Sequence, residues 1–132
     1  SCDAFISLHR AEGFGLIIAE CMAKGKPVIA TNWSGNVDFM NEHNSYPVRF
    51  ELLPIEKSQG PYSTGQTWAE PDIDHAARQM QRIVDDPDAA NQRGALGRCF
   101  IKEYLSPLTV GERYNKRLLS IQKNCYYQSQ TG

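Results

Sequence analysis

Short apolar segments separated by polar turns make up the first half of the chain. Ala4–Leu8 and Val28–Thr31 are each about as long as a buried strand. Between them, residues 14–23 are good helix formers, and Lys24 and Gly25 supply the cation and the glycine that commonly end a helix. A strand, a helix and a strand in this order predict two parallel strands joined by a right-handed crossover.

The pattern is less regular after the second strand. A turn over residues 32–36 leads into a short helix at 37–40, and residues 45–50 offer a third strand. Periodicity then disappears over residues 51–70, which predicts a long loop. Three helices follow, over about residues 73–85, 89–104 and 107–123. These elements predict an α/β fold with a Rossmann-like parallel sheet and flanking helices.

One acid interrupts the first predicted helix. Glu20 lies in a segment that is apolar on nearly every face, so we expect the segment to be buried and the carboxylate to need a partner. The candidates are a protein donor, a water molecule and the hydroxyls of a ligand. A second acid, Glu12, stands eight residues earlier, and eight helical residues rise by about 12 Å. That length is similar to the separation between a ribose and a sugar joined to it through a diphosphate.

The residues after the first acid suit an anionic ligand. Glu12-Gly13-Phe14-Gly15 stands between the first predicted strand and its helix, where doubly wound folds bind their ligands. The two glycines let the backbone approach a ligand, and the free amides of the first helical turn favour a diphosphate. The sequence therefore predicts a nucleotide-sugar site, with acceptor-only carboxylates for the hydroxyls.

Composition excludes several classes of partner. The 132 residues support one domain, and the formal net charge of -1 implies neither nucleic acid nor an anionic membrane as a partner. No apolar segment is long enough to cross a bilayer. The four cysteines are scattered without a CxxC pair, which argues against structural zinc and favours reduced cysteines in a cytosolic chain.

The acid pair and its surroundings resemble a known family. Glu12-x7-Glu20, with Gly13-Phe14-Gly15-Leu16 inside it, is similar to the E-x7-E signature of retaining GT-B glycosyltransferases of the family-four, or group-one, type. The resemblance continues through residues 19–31, Ser34-Gly35-Asn36 and, more loosely, 68–72. It covers residues 3–48 densely and weakens towards the C-terminus.

The resemblance implies a role for each matching position. Glu12 would contact the transferred sugar and act as the catalytic residue. Gly13 and the amides of Phe14, Gly15 and Leu16 would approach the sugar and the diphosphate, while Glu20 would bind the ribose hydroxyls. The family transfers a sugar with retention from a nucleoside diphosphate to a glycan or lipid-linked acceptor, as in polysaccharide biosynthesis, usually without a metal or another cofactor.

Departures from the family pattern suggest a partial domain. The N-terminal GT-B domain and the earlier strands of the donor-binding domain have no counterpart in the sequence. Residues 1–123 are therefore predicted to be part of a C-terminal nucleotide-sugar-binding domain, with 124–132 as a flexible tail. Alone, this fragment is expected to be inactive and to self-associate through its truncated sheet edge. The resemblance implies a cytoplasmic parent, with the inner face of the membrane as an option.

Several residues keep two interpretations. Arg10 and His9 either belong to a solvated turn or face phosphate, acceptor or a reacting proton, although the sequence offers His9 no orienting partner. Asn36 either belongs to a turn or faces the cleft. Tyr62 and Trp68 are more typical of loop anchors than of sugar platforms.

Two other functions compete with sugar transfer. One is a non-catalytic nucleotide-sugar-binding or assembly module, which would keep the pocket without performing the reaction. The other is a nucleotide-dependent oxidoreductase, which is disfavoured because no G-x-G-x-x-G follows a predicted strand.

Overall fold

The computed structural model describes the backbone of residues 2–130 and the side chains of residues 2–123. The chain forms two compact units, with the boundary between Ile101 and Lys102. In chain order the strands and helices are β1 (Phe5–Ser7), α1 (Leu16–Ala23), β2 (Val28–Thr31), a 3₁₀ turn (Gly35–Asp38), β3 (Tyr46–Val48), β4 (Phe50–Pro54), β5 (Thr67–Pro71), α2 (Ile73–Asp85), α3 (Pro87–Tyr104) and α4 (Pro107–Gln130).

The first unit is built on a three-stranded parallel sheet of order β1-β2-β3. Phe5 pairs with Val28 across the first ladder, and Ile29 pairs with Tyr46 across the second. All four residues of β2 are buried, as expected for a central strand covered on both faces. The predicted α/β architecture, Rossmann-like with a parallel sheet and flanking helices, is confirmed.

Glycines let α3 approach the turn after α1. A Cβ added to Gly94 would collide with the carbonyl oxygen of Gly25, and one added to Gly97 would lie 2.9 Å from the carbonyl oxygen of Asn44. Within α1, Ile18 and Met22 are buried, and Met22 lies against Gly97 of α3. These contacts fix α1 between its neighbours, so the loop that precedes it has a rigid base.

The segment predicted as a long loop contains a hairpin, so that prediction is wrong in part. β4 and β5 pair antiparallel, with Glu51 opposite Glu70 and Leu53 opposite Trp68. The last four residues of β4 are exposed, which removes the apolar alternation by which a strand is recognised. The hairpin is held by backbone hydrogen bonds between β4 and β5, which lie more than ten residues apart in the sequence. Only the tip, residues 55–66, remains as the predicted loop.

The predicted helices are present, with recognisable ends. Asp72 caps α2 by accepting from the amide of His75 at 2.7 Å, and this hydrogen bond lowers the pKa of Asp72. Ser106 accepts from the amide of Thr109 at the start of α4. No helix in the described part of the chain is long and apolar enough to cross a membrane.

The domain limits proposed from the sequence stay predictions. α4 is helical through Gln130, whereas residues 124–132 were predicted to form a flexible tail. The side chains of that segment lie outside the described residues, as do residues 131 and 132 altogether.

Candidate functional site

Two loops meet at the carboxyl edge of the parallel sheet. The loop of residues 8–15 follows β1, and we call it the motif loop; the turn of residues 32–35 follows β2. The hydroxyl of Ser34 donates to the carbonyl oxygen of Glu12, and a Cβ added to Gly35 would collide with the carbonyl oxygen of Gly13. The turn therefore lies directly against the motif loop, at the edge where α/β sheets bind ligands.

The motif loop ends at Gly15, which adopts a left-handed conformation with φ of +87°. A Cβ there would lie 3.1 Å from Cβ of Asn36 and 3.3 Å from the ring of Phe39, so a side chain would be both strained and crowded. The helix consequently begins at Leu16, not at Phe14.

This start changes the geometry expected for the acid pair. Only the segment from Leu16 to Glu20 is helical, and it rises by about 6 Å. The remainder of the spacing from Glu12 is an irregular loop. The expected 12 Å of helical rise is therefore wrong, because the left-handed glycine breaks the helix between the two acids.

The carboxylate of Glu12 folds back on its own loop. Its Oε1 accepts from the amide of Gly13 at 3.0 Å and from the amide of Gly15 at 3.2 Å. Within the described hydrogen bonds, Oε2 of Glu12 and the amides of Phe14 and Leu16 have no partner, and α1 has no side-chain cap. The loop thus presents one carboxylate oxygen and two amide donors beside a positive helix end.

Glu20 is exposed, so the expected burial of its segment is wrong. Leu16 and Ile17 beside it are each 62% exposed, and the buried residues of α1 are Ile18, Ala19 and Met22. The apolar sequence did not indicate which face another element would cover. In the solvated position Glu20 needs no internal partner, and its carboxylate is accessible to a ligand.

Both ring nitrogens of His9 are engaged within the protein. Nε2 lies 3.0 Å from the carbonyl oxygen of Trp33, which can only accept, so Nε2 carries the hydrogen. Nδ1 then accepts from the hydroxyl of Ser7 at 3.2 Å. The sequence showed no orienting partner for His9, and the structure supplies two, the nearby hydroxyl of Ser7 and the backbone of Trp33 after β2. His9 joins the end of β1 to the turn after β2.

Arg10 fastens the hairpin to the motif loop. Its Nε lies 2.6 Å from Oε2 of Glu70, its Nη2 donates to Oε1 at 2.8 Å, and its guanidinium lies 4.6 Å from the ring centre of Trp68. The hydrogen bond to Glu70 raises the pKa of Arg10. The amide of Ala69 also donates to the carbonyl oxygen of Arg10 at 3.0 Å. Sequence reasoning missed Glu70, since nothing local pairs positions 10 and 70.

Two aromatic residues of the hairpin pack against each other, and their role as a loop anchor stays a prediction. Tyr62 and Trp68 form an edge-to-face pair with ring centres 6.2 Å apart. A groove of about 610 Å³ lies beside them, lined in part by Arg10 and Glu70.

Asn36 supports the motif loop from inside. Its side chain is fully buried, and its amide donates to the carbonyl oxygen of Thr31 at 3.0 Å and to the sulfur of Met40 at 3.4 Å. Its Oδ1 is buried with no partner among the described residues. This placement favours the interpretation of Ser34-Gly35-Asn36 as a turn over that of a cleft-facing group.

Comparison with known proteins places the chain in a family. A family model described as "Glycosyl transferases group 1" matches residues 1–98, which include the parallel sheet, the motif loop and the hairpin. No curated protein matches the chain. Because the match covers well over half of the 132 residues, the chain belongs to the group 1 glycosyl transferases.

Proposed function

We propose that this chain binds the donor of a retaining GT-B glycosyltransferase, a nucleoside-diphosphate sugar. Its parent enzyme would transfer the sugar to a glycan or lipid-linked acceptor, from the cytoplasmic side. The observation that carries the proposal is the packing of Ser34 and Gly35 on the motif loop. This contact holds amide donors and a carboxylate oxygen at the ligand-binding edge of the sheet, close to an exposed second acid.

The amides of Phe14 and Leu16 are proposed to hold the diphosphate. Phe14 precedes α1, and Leu16 is its first residue. Because α1 lacks a side-chain cap, the N–H groups of both residues are available to an anion. As the bond between sugar and diphosphate breaks, negative charge develops on the leaving oxygen, and fixed amide donors stabilise it. We propose no metal or other cofactor for this step, as the family resemblance implies.

Glu12 is proposed to perform two tasks with its two oxygens. Oε1 fixes the motif loop through the amides of Gly13 and Gly15. Oε2 has no partner among the described residues and is able to accept from a hydroxyl of the transferred sugar. The structural role and the catalytic role of this residue are thus compatible.

Glu20 is proposed to bind the ribose. A carboxylate has acceptor sites on both oxygens and matches the two donors of a vicinal diol. Its position one helical turn after Leu16 lets a single donor reach from the start of α1 to this exposed face.

Donor titration of the 132-residue chain tests the binding role. UDP-glucose, GDP-mannose and ADP-glucose would each be titrated by calorimetry against wild type and Glu20→Gln, with the exposed Glu112→Gln on α4 as the matched control. Loss of a hydrogen bond to a charged group costs about 1.5–3 kcal/mol, so Glu20→Gln should weaken the preferred donor by about tenfold or more. Equal affinities for wild type and Glu20→Gln would contradict the assignment.

Transfer assays separate the enzyme from the non-catalytic module. In the parent enzyme, Glu12→Ala should abolish sugar transfer from the donor that the chain binds. A parent that binds the donor tightly and transfers no sugar to any acceptor offered would instead support the binding or assembly module.

A further inference from the structure

We propose that a second site, between β3, α2 and α3, binds the phosphate group of a small phosphorylated ligand. The pocket has a volume of about 200 Å³, room for several water molecules or one phosphate-sized anion. Its lining residues are Glu42, Pro47, His75, Gln79, Arg82 and Arg93. None of them belongs to the proposed donor surface, so this inference stands apart from donor binding.

Two guanidinium groups line the pocket with most of their donors unused. Arg82 donates to Oε1 of Gln79 at 2.9 Å, and Arg93 donates to the carbonyl oxygen of Ser45 at 3.2 Å. A guanidinium has five N–H donors, so the described hydrogen bonds occupy one of five in each case. Neither arginine forms an ion pair with a described residue. Guanidinium donors in a fork geometry are suited to phosphate oxygens.

Each of the two arginines lies near the same buried aromatic ring. The guanidinium of Arg93 lies 4.6 Å from the ring centre of Tyr46, and that of Arg82 lies 5.6 Å from it. Tyr46 is buried and fixed in β3. Both guanidinium groups also line the same pocket, so an anion bound there would be attracted by two positive charges.

Two further donors meet at the wall of the pocket. The amide of Arg49 donates to Nδ1 of His75 at 3.1 Å, so the hydrogen of the neutral ring is on Nε2. Nε2 lies 3.4 Å from Nε2 of Gln79, whose amide group also donates to the carbonyl oxygen of Pro47. Two donors therefore face one another, and an anion oxygen is able to accept from both.

The surrounding charge favours an anion. Burial lowers the pKa of His75, and the nearby positive charges of Arg49 and Arg78 lower it further. Glu42 is the one carboxylate among the described lining residues. Its negative charge would repel an anion that Arg82 and Arg93 attract. Its exposed position allows solvent to screen that repulsion.

Calorimetric titration of the 132-residue chain with inorganic phosphate at pH 7.5 tests the proposal. We expect saturable binding of one phosphate, weakened about tenfold or more by Arg82→Gln or Arg93→Gln. Arg98→Gln removes the same charge from an exposed position on α3 and should change the affinity less than about twofold. Glu42→Gln should tighten binding. Lack of saturation in wild type, or equal weakening by Arg98→Gln, would overturn the site.

Thermal unfolding separates binding from a merely structural role of the arginines. A ligand of the folded state raises its Tm, so phosphate should raise the Tm of wild type and of Arg93→Lys but not of Arg93→Gln. If Arg93→Gln lowers the Tm without phosphate yet keeps the full phosphate-induced rise, Arg93 acts only in packing and the proposal fails.

The source of the phosphate group is distinguished in the same assay. Glycerol 3-phosphate represents a free metabolite, and vesicles of phosphatidylcholine with phosphatidic acid represent a lipid headgroup. Binding of glycerol 3-phosphate that is lost in Arg93→Gln supports a soluble ligand, whereas vesicle binding with the same sensitivity supports a lipid. Failure of both probes, with inorganic phosphate also inert, contradicts the site.

Discussion

Residues of the motif loop show what a local pattern conveys and what it omits. Gly15 and the two acids are visible in the sequence, and a loop between strand and helix was correctly expected around them. The exposure of Glu20 was not predicted, because an apolar helix face does not reveal whether another element covers it. Likewise, the sequence did not indicate the hydrogen bonds that orient His9, one with the nearby hydroxyl of Ser7 and one with the distant backbone carbonyl of Trp33.

Substitution of Gly15 tests the strained start of α1. An alanine at φ of +87° costs about 1–2 kcal/mol, and its Cβ would press on Asn36 and Phe39. Gly15→Ala should therefore lower the free energy of unfolding by about 1–3 kcal/mol, measured by urea denaturation. Gly13→Ala, where a Cβ meets nothing within 4 Å, is the control and should change it by less than about 0.5 kcal/mol. An equal change in the free energy of unfolding for the two variants would contradict the strain and crowding at Gly15.

Whole elements were predictable where apolar residues recur locally in the sequence, even though Ile73, Met80 and Val84 of the α2 pattern are exposed in the structure. α2 and the central strand β2 follow apolar patterns and lie where those patterns place them. The β4–β5 hairpin does not, because its exposed residues carry no alternation and its pairing is long-range. The ion pair between Arg10 and Glu70 attaches the hairpin to the motif loop. Because Glu70 is positioned by the β4–β5 pairing, the sequence did not indicate this ion pair either.

Removing the charge of Glu70 should loosen this attachment without unfolding the protein. The pair with Arg10 is partly exposed, so Glu70→Gln should change the free energy of unfolding by less than about 1 kcal/mol. The amide of Ala69, which donates to Arg10, should nevertheless exchange its hydrogen faster. Glu51→Gln is the matched control, because Glu51 lies opposite Glu70 and its neutralisation removes a like charge from the ladder. Faster exchange in both variants, or in neither, would show that the ion pair does not fasten the hairpin.

At the scale of the molecule, composition and topology set the class of protein, and the family match agrees with it. The alternation of strands and helices correctly placed the chain among α/β folds, and the residues around Glu12-x7-Glu20 carried the resemblance to group 1 glycosyl transferases. The sequence did not identify the donor or the acceptor. It also did not predict the second, arginine-lined pocket. That pocket joins residues from β3, α2 and α3, which no single motif contains.

Self-association through β1 is the prediction that belongs to the whole chain. β1 is at one edge of the parallel sheet, and Ile6 within it is exposed, so its backbone is a template for a second strand. Light scattering should show a mass that rises with concentration, and Ile6→Lys should suppress that rise. Val84→Lys on α2 provides an exposed apolar control that should leave it unchanged. A monomeric mass at every concentration would contradict the prediction.

Ser34 has a consequence that extends beyond its own turn. Among the described residues it is the one non-glycine with positive φ, at 78°, a conformation that costs a side-chain-bearing residue about 1 kcal/mol or more. Its hydroxyl meets the carbonyl oxygen of Glu12, and that contact helps to offset the cost. The conformations of the two loops are therefore linked through this hydrogen bond. Whatever displaces the carbonyl oxygen of Glu12 also frees Ser34 to relax.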